Sequence, residues 1–201
     1  MNNKFGFYPE IPENIRDIFM QLCQDLVALN NKWDFYLELY SSAETTSLLS
    51  KMALASFHLI EEALRADMVL SICRLNDPPQ SCGQNNLSFP FLHQHIHNSE
   101  VDNLFTQFET ACSPFKTHRN KQVGHNDLNT SIKPHSNPLP NIEKEQIDLV
   151  INIASDILNA ILKCYVDEGI GFNFPQIGGG KNLVHWLKIA REYKQKQKHH
   201  I

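Results

Sequence analysis

The stretch IEKEQIDLVINIASDILNAILKCYVDEG, Ile142 to Gly169, decides the fold. Its apolar residues Ile147, Val150, Ile151, Ala154, Ile157, Leu158, Ile161 and Tyr165 recur in steps of three and four, the repeat of one helical face, and Gly169 marks the expected stop. The same repeat appears upstream. Ile15, Ile18, Phe19, Leu22, Leu26, Leu29, Trp33, Tyr36 and Tyr40 predict a first long helix from Ile15 to Tyr40. After Ser41-Ser42 a second carries Leu48, Met52, Leu59, Ala63, Ala66, Leu70 and Cys73 on one stripe, and Phe57, Ile60, Leu64 and Met68 on another. Apolar on two faces, it is expected to sit centrally. It should end near Arg74-Leu75-Asn76-Asp77, because Pro78 and Pro79 remove backbone donors and push preceding residues out of helical geometry.

A further stripe, Val101, Leu104, Phe105, Phe108, Cys112 and Phe115, predicts a helix kinked at Pro114 and resuming from Lys116 to about His125. Before it, the loop from Pro78 to Leu87 gives way to a short helix capped by Ser88. After it, Pro134, Pro138 and Pro140 make Leu128 to Asn141 an irregular connection. Gly178-Gly179-Gly180 reads as a hinge before a last amphipathic helix around Leu183 to Tyr193. The expected fold is all-α: an up-and-down bundle of about four long helices with short accessory helices over residues 1–177, followed over residues 178–201 by the hinge, the amphipathic helix and a basic tail.

Bulk composition narrows the function. A chain of 201 residues, 42% hydrophobic and 20% charged, suits one packed domain with appendages and excludes a disordered or fibrous protein. No apolar run approaches the roughly 20 residues of a membrane span, and Met1 to Glu10 lacks the order of a signal peptide, so a cytoplasmic protein with no membrane partner is expected. The five cysteines, Cys23, Cys73, Cys82, Cys112 and Cys164, are far apart and form no C-x-x-C pair, which argues against a disulfide framework or a zinc knuckle. A net charge of −4 means that any contact with nucleic acid must be local. Lys181, Lys188, Arg191, Lys194, Lys196 and Lys198 crowd the C-terminal stretch; a solvated tail is the first reading, and a guide leading RNA towards a cleft is the other. Trp33 and Trp186 are expected to anchor helix packing. His93, His95 and His97 would share a side only in an extended loop. With no carboxylate or cysteine at a matching spacing they read as a solvated segment, and no metal or other cofactor is expected.

The segment bearing chemistry is Thr117-His118-Arg119-Asn120-Lys121-Gln122-Val123-Gly124-His125-Asn126-Asp127. Counted at 100° per residue from Phe108, Arg119 and Asn126 fall near the centre of the apolar stripe, with His125 to its side. A guanidinium directed at an interface needs an anion, since burying it alone costs several kcal/mol. Two readings are open. In one, Arg119 pairs with a buried acid such as Asp67 or Glu62, and His125 merely ends the helix. In the other the anion is phosphate: the Arg119 fork matches its oxygens and His125 moves a proton near neutral pH, the two needs of RNA cleavage through a 2′-hydroxyl. An Arg-x(4 to 6)-His spacing arises about once by chance in such a chain, so the spacing alone does not choose.

Arg119-Asn120-Lys121 followed by His125-Asn126-Asp127, late in a bundle helix, resembles the motif of the HEPN superfamily, and within it the abortive-infection AbiU-like branch. Arg74-Leu75-Asn76-Asp77-Pro78 and Asn86-Leu87-Ser88-Phe89 echo the same family in the same order. The resemblance implies a metal-independent endoribonuclease, a toxin or phage-defence effector, in which Arg119 and His125 are catalytic and Asn120, Lys121, His118 and Asn126 hold RNA phosphate. It further implies a homodimer whose Arg119, Asn120 and His125 meet their copies across a shared cleft, and an antitoxin or defence-system partner. The alternative it allows is a non-catalytic module binding RNA, a nucleotide or a protein. Gly124 stands where such proteins often carry alanine, which costs about 1 kcal/mol of helix stability and gives the histidine freedom to swing.

Overall fold

A computed structural model describes residues 8–124, 127, 139, 141–172 and 179–198, the side chain of Lys198 excepted. The fold is all-α, as the periodicity requires. The described elements are α1 (Glu13–Tyr40), α2 (Ala43–Leu75), a minimal hairpin of β1 (Gln80–Ser81) and β2 (Gln84–Asn85), α3 (Phe89–His93), α4 (Ser99–His118) running into a π-turn (Arg119–Val123), α5 (Lys144–Lys163) and α6 (Gly180–Lys198). Among these residues no helix is long and apolar enough to cross a membrane. The chain forms two compact units: Met1–Leu29 with Val69–Phe172, and Asn30–Met68 with Asn173–Ile201.

The first unit holds the predicted stripes. Ile15, Phe19, Leu22 and Leu26 of α1 are buried, as are Val101, Phe105, Phe108, Cys112 and Phe115 of α4 and Val150, Ala154, Ile157 and Ile161 of α5. α4 and α5 pack on each other. Phe108, fully buried, meets the edge of Phe89 from α3 at 5.0 Å between ring centroids, an arrangement the aromatic quadrupoles favour. Ser88 caps α3 as expected, its hydroxyl accepting from the Phe91 amide at 3.3 Å.

The structure refines the helix beyond Pro114 and corrects two other local expectations. α4 continues helically through Pro114 and ends at His118, where the α-helical repeat gives way to the π-turn. α5 stops at Lys163, six positions before Gly169: the amides of Cys164, Tyr165 and Val166 turn back onto the Ile161 and Leu162 carbonyls, and Asn159 then grips the backbone of Ile170, accepting from its amide at 2.7 Å and donating to its carbonyl at 3.2 Å. The loop from Pro78 to Leu87 contains a hairpin whose turn, Cys82-Gly83, has φ of +48° and +78°. Two successive positive φ values belong to the tight turn that matches strand twist, and glycine supplies one of them without strain.

In the second unit Trp33 is buried and stacks on Tyr36 at 5.5 Å, as an anchor should. Tyr40 donates to the Phe57 carbonyl at 2.8 Å, Lys32 pairs with Asp67 at 2.6 Å, and the Lys181 amide donates to Glu38 at 3.0 Å. Gly180, buried at the start of α6, lies so close to α1 that a Cβ there would stand 2.8 Å from that of Glu38. Only glycine fits that approach. Two expectations fail in this unit. The middle of α2 is not enclosed: Leu54, Leu59 and Ile60 are exposed, and Ala53 interrupts the helix with extended φ and ψ of −162° and 72°. Trp186 anchors nothing, being 61% exposed.

Candidate functional site

Arg119 is the next step of the α4 stripe after Phe115, four residues on, so the helix that buries Phe108, Cys112 and Phe115 carries the guanidinium to the end of the first unit's core. There its anion is Asp77. Arg119 Nη1 donates to Asp77 Oδ1 at 2.7 Å, with each side chain about a third exposed. The reading in which an acid of the chain meets Arg119 thus holds, with Asp77 in place of Asp67 or Glu62: Asp67 is paired with Lys32 and Glu62 lies beside His58. In the sequence Asp77 stands out only as part of a family echo; the signal that marks it is its place just past the end of α2 and before Pro78, where its backbone N–H donates a hydrogen bond to the Arg74 carbonyl.

The hairpin fixes the chain beyond Asp77. Asn86 donates from its side chain to the Pro78 carbonyl at 2.7 Å and from its amide to the Pro79 carbonyl at 2.9 Å, while Ser81 donates to the Asn86 side-chain oxygen. The two family echoes, Arg74 to Pro78 and Asn86 to Phe89, are therefore tied to each other, and the second is packed on α4 through Phe89.

Arg119 is oriented from two directions. Besides Asp77, its Nε donates to Asn120 Oδ1 at 3.1 Å. A guanidinium has five N–H donors, so among the described residues three stay available in a plane already fixed, a preorganised fork for an oxyanion. Lys121 pairs with Asp127 at 3.1 Å, and His118 is half-buried at the end of α4. Of the residues assigned to the site by sequence, Arg119, Asn120, Lys121 and His118 lie together on this turn; His125 and Asn126 fall outside the described residues.

The π-turn changes the angular count. The Gly124 amide bonds to the Arg119 carbonyl at 2.7 Å, a five-residue step, so 100° per residue holds as far as Arg119 and not beyond it. A Cβ on Gly124 would lie 3.1 Å from that carbonyl oxygen. The glycine is thus explained by a tight turn over the arginine, and single π-turns of this kind recur at functional sites.

Behind the ion pair lies a residue that the pattern did not flag. Asn76 is 1% exposed, and among the described residues its amide has no nitrogen or oxygen partner, only the neighbouring Cys112 thiol. It sits close to Cys112, whose thiol is pushed up by burial first and by Cys73 next, against the opposing pull of Lys116 and Asn76. Burial likewise lifts the Cys73 thiol to about 11, although the Arg119 guanidinium nearby favours the thiolate. Both thiols are held neutral and are inert in this environment. Among the described residues no group of three His, Cys, Asp or Glu side chains could hold a metal ion; His93 is engaged by Asp102 at 2.7 Å and stacks on Phe105.

Residues 12–176 match the model of the HEPN family AbiU2, a span that includes Asp77, Arg119 and His125 and ends before α6. No curated protein and no solved structure matches the chain significantly.

Proposed function

The chain belongs to the AbiU2 family of the HEPN superfamily, and on that premise we propose that it is a metal-independent endoribonuclease acting in abortive infection or as a toxin. The observation that carries this reading is the Arg119 fork, fixed by Asp77 and Asn120 with three donors still available. In the reaction the RNA 2′-hydroxyl attacks the adjacent phosphorus. The new P–O2′ bond forms as the P–O5′ bond breaks, leaving a cyclic phosphate and a 5′-hydroxyl. His125 takes the 2′-hydroxyl proton and, as imidazolium, returns it to the departing 5′-oxygen; Arg119 stabilises the charge that develops on the non-bridging oxygens. Because the nucleophile is the substrate's own hydroxyl, no metal is required to generate one.

The reading includes a two-fold dimer in which Arg119, Asn120 and His125 meet their copies, RNA as substrate, a cytoplasmic site of action, and an antitoxin or defence partner. The test is total-RNA integrity and growth after induction of the wild type, Arg119→Ala and His125→Ala in a bacterial host, with folding checked by circular dichroism and mass by light scattering against the chain's 23.1 kDa. Cleavage lost in both folded variants supports the nuclease. Intact RNA with every chain, at matched expression, leaves the binding module.

A further inference from the structure

The basic C-terminal stretch, read from sequence as solvated, is an ordered helix with two separate apolar stripes. Along α6, Leu183, Val184 and Leu187 are half-buried, whereas Trp186, Ile189 and Tyr193 are 61%, 42% and 65% exposed. Lys196 continues that second stripe at the next helical step. α6 contains six basic residues and one acid, a balance of +5 in a chain whose total is −4, so the remainder carries −9. The basic residues divide by task. Lys181 and Lys188 are spent on Glu38 and Glu44. Lys194 and Lys196 are exposed and make no ion pair among the described residues.

We infer that this face of α6 is a docking platform for single-stranded RNA, with Trp186 and Tyr193 stacking on bases and the exposed Lys194 and Lys196, about 80° to either side of Trp186 around the helix, following the phosphates. It rests on the reading that RNA is the substrate and adds to it a surface outside the family-matched residues 12–176. Exposed aromatics interleaved with cations are what a single strand requires, because every base presents a π-face whatever its sequence. The charge rules out self-pairing through this face, since two copies would bring like charges together. An interfacial membrane helix would need a broader apolar face than this single line of residues.

The 201-residue chain carrying Arg119→Ala, which keeps the RNA whole, is titrated with a short fluorescent oligouridylate and with a duplex of the same length. The expected result is preference for the single strand and a loss of about fivefold or more for each of Trp186→Ala and Tyr193→Ala. Trp186→Phe should restore most of the affinity. Lys194→Gln and Lys196→Gln should each shallow the salt slope by about 0.7. The side chains removed are exposed, so the fold is not at stake. Unchanged affinity in the two alanine variants, equal binding of duplex, or no binding by the parent overturns the inference; so does tryptophan-dependent binding to phosphatidylcholine–phosphatidylserine vesicles without binding to RNA. The nuclease reading is judged separately, by cleavage with the unmutated site: aromatic-dependent binding without cleavage sinks that reading alone, and cleavage with aromatic-independent binding sinks this one alone.

Discussion

Removing the charge from Asp77 probes both the fold and the site. Charge centres in a pair with a 2.7 Å N–O contact lie roughly 4 Å apart, where attraction is about 1 kcal/mol in water and about 4 kcal/mol near a protein surface. The Arg119 and Asp77 side chains are 31% and 28% exposed, so desolvation offsets part of this and a net coupling of about 1–2 kcal/mol is expected. The perturbation is a cycle of Asp77→Asn, Arg119→Gln and the double variant, read by urea unfolding and thermal melting. Asp77→Asn should lower Tm by about 2–8 °C for a chain of this length. The double variant should be more stable than the sum of the single effects predicts, by the coupling energy. In RNA cleavage, Asp77→Asn should cost about 10- to 100-fold with RNA affinity little changed, because Asp77 positions the guanidinium without touching substrate. Additivity within about 0.5 kcal/mol would refute the coupling. Wild-type cleavage by a destabilised Asp77→Asn chain would make the aspartate structural only.

The same geometry sets other outcomes. Asn76→Leu replaces a buried amide whose neighbour among the described residues is only the weakly bonding Cys112 thiol by an apolar group of similar size and should raise stability by about 1–3 kcal/mol in urea unfolding; a decrease would show that the amide has a stronger partner in solution. Ser88→Ala removes the cap of α3 and should cost about 1 kcal/mol, seen as a lower melting temperature. In native alkylation, exposed Cys82 and Cys164 should react while buried Cys23, Cys73 and Cys112 are protected. The Cys73 thiol is raised in the folded chain from 9.0 to about 11, so its contribution is intact below pH 9 and is lost as pH rises towards 11. Alkaline melting curves of wild type and Cys73→Ala should therefore converge over that interval.

Periodicity determined by itself that this chain is all-α and which faces of α1, α4 and α5 enter the core. A helix forms from local hydrogen bonds, and its buried face is written in three- and four-residue steps, so no knowledge of distant residues is needed. The motif around Arg119 was legible for the same reason: a cation standing where the next leucine would go is a local anomaly. Its partner was not legible. Asp77 is 42 positions away, and many acids in the sequence could have met Arg119; the end of α2 and the Asn86 tie decided which one did. The π-turn over Gly124, the early end of α5 at the Asn159 clamp and the exposure of Trp186 also came only from tertiary structure. α6 shows why: it carries two apolar stripes, and helical spacing alone could not tell which packs, a choice made at Gly180, where the helix closes on α1 and leaves Trp186, Ile189 and Tyr193 on the outside.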